Sequence, residues 1–368
     1  MRWPAAAPSF LERYCLTNFL EIDGSLGEGG GQTIRIATAF SIILGRPIHV
    51  TNVRGARKVP GLRPQHSATL KILRDVCGGS LEGGNVGSTE FTFVPGTVET
   101  TSPMSLDLGT AGSVTLVLQA LVPAVALSGG SLELVLFGGT DVPWSPTSDY
   151  VSTILGACLR RIGIAFSLDV SRRGYYPKGG GRATVRIEPC AEVRPLRLTS
   201  RGREPTPPIS VVSRAGSLPR HVAERQAASA ASVLARSGLR AKTTSIHVED
   251  SLSPGSSIMV GCVTDSCYIG ADSIGARGKP AEKVGAEAAF RFARTYEGPA
   301  CVDSNLADMV APLLCLAREP SEVVTSQATG HLRTGLQVAK QFVEAEFSVT
   351  ALAAGGAVVS ITPRHQNS

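Results

Sequence analysis

Aromatic residues make up only 5% of the 368-residue chain, and none of its eight cysteines forms a Cys-x-x-Cys pair. The first shortage, with no recognition-module motif present, speaks against sequence-specific reading of RNA by stacked aromatic side chains. The second speaks against a zinc site or a dithiol redox couple. Scattered as they are, Cys15, Cys77, Cys158, Cys190, Cys262, Cys267, Cys301 and Cys315 read as reduced packing residues of an intracellular protein. Long apolar runs are also missing. The most apolar stretch, Val114 to Leu127, is too short to span a bilayer and carries Gln119 and Pro123, so no membrane partner is expected. Residues 1–19 lack the apolar core and cleavage site of a secretory signal. Glu12 between Arg2 and Arg13 also argues against a transit peptide, leaving an N-terminal extension.

What is present is glycine (40 residues), proline (23) and a 43% hydrophobic share. Together these favour many tight turns and short elements around at least one sizeable core, over two domains or one large domain with an insertion. A formal charge of +6 and a pI near 9.0 suit either a solvated basic surface or a polyanionic partner. The basic residues are concentrated: Arg54, Arg57, Lys58, Arg63, His66, Lys71 and Arg74 follow one another with no acidic residue among them before Asp75. That run is a candidate phosphate-binding face.

Periodicity predicts a strand at Phe19–Asp23, a glycine turn at Gly27–Gly31, a helix over Thr33–Leu44, a strand at Ile48–Val53 and a helix over Gln65–Cys77. Strands follow at Gly79–Glu82 and Glu90–Val94. Glycine turns return at Gly109–Ser113, before a helix to Ala126 and a strand at Leu132–Phe137, and at Ala328–His331, before a helix to Phe342 and a strand at Glu346–Ala351. The three turn-helix-strand stretches read as a weak internal repeat. Each turn is either a simple helix cap or an anion site, since a helix N-terminus presents free N–H groups and positive potential. From Pro195 to Gly298 the pattern breaks. A Pro-rich stretch, strands at Ile209–Ser213, Ala241–Val248 and Ser257–Thr264, and helices over Arg220–Arg236 and Ala281–Thr295 read as a smaller inserted domain.

Five motifs taken in order carry a resemblance: Asp23-Gly24 with Gly27-Glu28-Gly29-Gly30-Gly31-Gln32; Pro60-Gly61-Leu62-Arg63-Pro64-Gln65-His66; Gly138-Gly139-Thr140; Gly174-Tyr175-Tyr176-Pro177-Lys178-Gly179-Gly180-Gly181; and His331-Leu332-Arg333-Thr334. From about residue 20 to 360 the chain resembles the RNA 3′-terminal phosphate cyclase family. The resemblance implies an α+β fold, with a large domain of three repeated βαβαββ units and a small α/β domain inserted before the last unit. On this chain it gives a catalytic domain at 20–194 and 299–360, an insertion at 195–298 and a tail at 361–368. It also implies ATP as a substrate with a divalent metal, Mg²⁺ or Mn²⁺, an RNA partner ending in a 3′-phosphate, and a nuclear or cytoplasmic location.

The site residues follow from the same resemblance. His331 matches the nucleophile that attacks the α-phosphorus of ATP, a role that suits a neutral imidazole near physiological pH. Gln119, Pro146, Asp308, Arg35 and Glu28 match nucleotide-binding positions, and Asn305 and Met309 stand where the family carries a tyrosine and a glutamine. An amide can still stack or hydrogen-bond on a purine, and a thioether can pack on it. Glu28 is also the candidate metal-proximal carboxylate, and Arg54, Arg57, Gln65 and His66 resemble the family's polar cluster for the phosphates. Each has a plain alternative: His331 a helix-terminal histidine, Gln119 a loop-facing amide, Asp308 a solvent-facing carboxylate, Glu28 an organiser of its glycine turn, and the basic set a solvated face. Two rival readings remain, a non-catalytic cyclase-like protein of ribosome biogenesis and an enolpyruvyl transferase. His331 and the intact glycine run argue against the first. The His-x-x-Thr sequence and the insertion argue against the second.

Overall fold

The computed structural model describes residues 19–98, 104–109, 111–202 and 207–364. The extension up to Asn18, with Cys15, and also Thr110 and the end of the 361–368 tail, lie outside them. Strands β1 (Leu20–Asp23), β2 (Ile48–Thr51), β3 (Ser80–Glu82) and β4 (Phe91–Val94) form a sheet in the order β1-β2-β4-β3. β1 and β2 run parallel, joined by helix α1 (Gly31–Leu44), and the other neighbours run antiparallel. Helix α2 (Pro64–Cys77) makes the second crossover. α1 buries Ile34, Ala37 and Phe40 at helical spacing, and Gly45 ends it in the left-handed region at φ 62.

The same order and sense recur in β5 (Met104–Asp107), β6 (Leu132–Gly138), β7 (Phe166–Arg172) and β8 (Gly181–Ile187), arranged β5-β6-β8-β7. Helix α3 (Val114–Leu127), buried on nearly every face, packs against α1. The second crossover helix, α4, is continuous through Ser148–Tyr150, a π-helical Val151–Leu155 and Gly156–Arg161. A third unit opens with β9 (Arg197–Leu198), and the chain then leaves it.

The excursion builds β10 (Ile209–Gly216), helix α5 (Arg220–Arg236), β11 (Ala241–Glu249), β12 (Gly255–Thr264), β13 (Cys267–Ile274) and helix α6 (Ala281–Glu297). Its sheet has the order β11-β10-β12-β13 and its own apolar core, in which Val211, Leu234, Ile258, Ile269 and Phe292 meet. The chain then completes the third unit with helix α7 (Ser304–Leu314), β14 (Ser321–Thr325), helix α8 (Gly330–Phe342), β15 (Ala345–Ala351) and β16 (Ala357–Pro363). Its sheet, β9-β14-β16-β15, again has one parallel and two antiparallel pairs. The fold is therefore α+β, three βαβαββ units with a smaller α/β insertion. The insertion falls after the first strand of the last unit rather than before that unit, because Arg197–Leu198 pairs in parallel with β14. Sheet position also corrects the repeat read from the glycine turns. α1 and α3 are first crossovers, whereas α8 is a second crossover, and the equivalent of α1 in the third unit is α7, opened by Asp303. Across the units, Phe40 of α1 and Phe342 of α8 meet with ring centroids 5.6 Å apart.

The insertion is fastened to the body by buried charge. Arg173, after β7, lies 3.1 Å from Asp141 and 3.2 Å from Asp149, both in the second unit, and 3.6 Å from Glu249 at the end of β11. Arg214 of β10 reaches Asp149 at 2.6 Å and Glu249 at 2.5 Å. Burial alone would push the Asp149 carboxyl up, but Arg214 and Arg173 outweigh it and hold the group below the usual carboxylate range. Removing one member of such a cluster strands the others without solvent. Arg173→Ala should therefore cost about 3–5 kcal/mol in urea unfolding, and Asp141→Asn in the same background should recover part of the loss.

Candidate active site

A cleft of about 620 Å³ opens between the body and the insertion. Its geometry begins with two turns. Gly27 has φ 60 and lies so close to α8 that a Cβ there would meet Thr334 Oγ1 at 2.0 Å, while a Cβ on Gly330 would meet Glu28 Oε1 at 2.2 Å. The left-handed φ of Gly27 favours glycine there, and at Gly330 a Cβ would require the Glu28 carboxylate to shift. Thr334 Oγ1 accepts from the Glu28 N–H at 3.4 Å and donates to the Gly330 carbonyl at 2.8 Å, so the His-x-x-Thr threonine ties the turns together. Thr329 caps α8 by accepting from the Leu332 N–H at 2.9 Å, which sets His331 in the first turn of the helix.

His331 is half-exposed, and its Nε2 lies 3.3 Å from Glu28 Oε2. Arg57 approaches the same carboxylate at 3.5 Å. Arg35, half-buried on α1, lines the cleft and makes no ion pair among the described residues. Burial pulls its guanidinium down to about 10, which leaves it charged at neutral pH. His66 is buried, and burial first, then Arg35, Arg54 and Arg63, pull its imidazole down to about 3. It is therefore neutral. Its Nδ1 accepts from the Arg63 N–H at 3.2 Å, which leaves Nε2 as the donor.

Gln65, Gln119, Pro146, Asn305, Asp308 and Met309 also line the cleft. Pro146 is fixed by its carbonyl, which accepts from Thr115 Oγ1 at 2.8 Å. Asp308 is buried and accepts a short hydrogen bond from Thr329. Burial, helped by Asp303 and Glu28, raises its carboxyl to about 7. Neighbouring Asp303, pushed up to about 6 by burial, accepts from Tyr150 OH at 2.8 Å and from the Gly270 N–H at 2.9 Å, joining α4, β13 and α7.

Of the basic run singled out from the sequence only Arg57 and His66 line the cleft, Glu28 meets the site through His331 and Arg57 without lining the cleft itself, and Arg54 turns away. Its NH1 donates to the carbonyls of Val59 and Gly61 at 2.9 and 3.1 Å, bracing the basic loop rather than lining the cleft. One of the three glycine turns lines the cleft with its own glycines, Gly30–Gly31, and the third reaches it through His331. The second turn contributes only through Leu116 and Gln119 on the helix it opens. Sequence reading missed the wall supplied by the insertion, Asp272 to Ala276 with Arg291, and also Gln32 and Trp144. The one signal for that wall was a carboxylate, Asp272, toward the end of the mainly apolar β13. Gln32 Nε2 donates to the Asp308 carbonyl at 3.1 Å, while its buried Oε1 finds no partner among the described residues and leaves an acceptor at the cleft.

No His, Cys, Asp or Glu cluster of three gathers as a metal cage among the described residues. Glu28 fits one carboxylate contribution to an ion held mostly by substrate oxygens. No helix among the described residues is long and apolar enough to cross a membrane.

The family model described as RNA 3′-terminal phosphate cyclase matches residues 26–349. Proteins named RNA 3′-terminal phosphate cyclase are similar over nearly the whole chain. That of Thermococcus kodakarensis is 43% identical over 331 residues, covering 90% of this chain and 94% of the relative. That of Pyrobaculum aerophilum is 40% identical, covering 89% and 94%, and that of Pyrococcus abyssi 41%, covering 90% and 95%.

Asp308 also gives a pH dependence. The folded chain keeps on Asp308 a proton that the unfolded chain, with a carboxyl near 3.8, has already released. This group's stabilisation is fullest below that value and is lost as pH rises to about 7. Asp303 adds a slope of the same sign ending near 6. Chemical unfolding between pH 4 and 8 should show Asp308→Asn losing stability with pH less steeply than the wild type.

Proposed function

The chain belongs to the RNA 3′-terminal phosphate cyclase family, and from that premise we propose that it uses ATP to convert an RNA 3′-phosphate into a 2′,3′-cyclic phosphodiester. The observation that carries the reading is that His331, Arg57 and Arg35 line one cleft while Glu28 lies against both His331 and Arg57. A nucleophile, a carboxylate beside it and two guanidinium groups are what transfer between phosphates requires.

His331 attacks the α-phosphorus of ATP, forming a phosphorus–nitrogen bond as pyrophosphate leaves. The RNA 3′-phosphate then attacks the histidine-bound AMP, releasing His331 and forming an RNA–adenylate. Finally the neighbouring 2′-hydroxyl displaces AMP and closes the ring. The last step draws on the high effective concentration of a hydroxyl already beside the activated phosphorus. Glu28, 3.3 Å from Nε2, orients the imidazole and can hold its proton. Arg35 and Arg57 bind phosphate oxygens, and Gln65 and neutral His66, with Nε2–H as donor, serve the RNA end. Gln119, Pro146, Asn305, Asp308 and Met309 hold the nucleotide. A divalent ion at Glu28 would offset charge on the departing pyrophosphate.

In this reading the catalytic body comprises 20–194 and 299–360 with the strand Arg197–Leu198, and the insertion supplies the fourth wall. Among the described residues all seven cysteines are buried and no disulfide joins them, which supports an intracellular place, nuclear or cytoplasmic, and a role in RNA end processing.

The protein incubated with α-³²P-ATP and Mg²⁺ or Mn²⁺ should acquire an acid-labile, alkali-stable label that His331→Ala lacks. Addition of 3′-phosphorylated RNA should chase the label into AMP and yield a phosphatase-resistant RNA end. A folded wild-type protein that takes no label would overturn the reading in favour of a non-catalytic cyclase-like protein.

A further inference from the structure

We infer that Trp144 is a stacking platform for a nucleobase at the 3′ end of the RNA, an inference that rests on the cyclase reading. Among the described residues Trp144 is the most exposed large apolar side chain, at 97%, and of those exposed it alone lines the cleft. It also occupies an unfavourable place. In the Pro143-Trp144 turn its φ is +63, a conformation that favours glycine or asparagine, so the local fold gives no reason for an indole there.

The turn is held firmly. Ser145 Oγ donates to the Val142 carbonyl at 2.8 Å, Thr115 Oγ1 to the Pro146 carbonyl at 2.8 Å, and the Thr147 N–H to Asp272 of the insertion at 2.6 Å. The indole therefore stands on a pinned stem at the rim. Every base has a π-face, so one aromatic platform grips a strand without reading its sequence. Arg291, exposed on the insertion side of the same cleft and in no ion pair among the described residues, is suited to a phosphate of the same strand.

The adenine of ATP has the same stacking chemistry but the wrong place. Of the residues assigned to the nucleotide, Gln119, Pro146, Asp308 and Met309 are buried or half-buried and Asn305 alone is exposed, whereas the indole lies almost wholly in water. A ring so placed is covered by what extends out of the cleft, and that is the polymer.

Trp3 and Trp144 are the two tryptophans of the chain, so Trp3→Phe leaves Trp144 as the sole indole reporter. A short 3′-phosphorylated oligoribonucleotide without ATP should quench its fluorescence, and ATP alone should not. Trp144→Ala should raise the KM for that RNA roughly tenfold and leave the KM for ATP and the labelling of His331 unchanged, with Trp144→Phe close to wild type. An unchanged KM for RNA in Trp144→Ala, or quenching by ATP with a raised KM for ATP, would overturn the inference while the cyclase reading stands. Absence of label and of cyclised RNA with the wild type would overturn the cyclase reading instead.

Discussion

The near-contact of two glycine turns is the constraint on which the site depends. A Cβ on Gly27 would collide with Thr334 and one on Gly330 would displace the Glu28 carboxylate, and that closeness brings the N-termini of α1 and α8 to one cleft. Glu28 rides on the first turn and His331 on the second, so the approach of the turns sets the two side chains 3.3 Å apart. The two helix N-termini add positive potential where a triphosphate would lie in the proposed reading. Phe40, tilted against Phe342 with ring centroids 5.6 Å apart, packs the same helices together.

Charge is divided across the cleft. The first unit supplies Arg35 and Arg57, and its field together with burial keeps His66 neutral. The third unit supplies Asp303 and Asp308, whose carboxyls burial drives upward. A protonated Asp308 can donate as well as accept, which suits a group facing a nucleotide rather than a phosphate. In the proposed reading the phosphates lie toward the first unit and the nucleoside toward the third.

The strands and helices that were legible in the sequence are those whose pattern is local. β6 alternates buried and half-buried residues along its length, and α1 carries its apolar residues at helical spacing. What was illegible depends on partners distant in the chain. β9 is two residues long and becomes a strand only by pairing with β14, so the true start of the third unit left no local trace. The glycine-turn repeat linked helices at different positions in their units, because a turn records how a helix begins and not which crossover it makes. The site divides in the same way. His331, Glu28 and the basic loop announce themselves by residue type within motifs, whereas Asp272 and Arg291 reach the cleft only because the insertion folds over it.

How the insertion is held therefore sets the shape of the site. A buried cluster such as Arg173, Asp149, Arg214 and Glu249 stabilises a fold less than apolar packing of equal volume would, so stability does not account for its presence. It supplies direction instead. Apolar surfaces can slide by an ångström at little cost, whereas two arginines shared among three carboxylates tolerate one arrangement. That arrangement places Asp272 on the Thr147 N–H and Gly270 on Asp303, linking the insertion to the loop that carries Trp144 and Pro146 and to the helix that carries Asp308. The same contacts that dock the insertion thus fix both walls between which the substrate must fit.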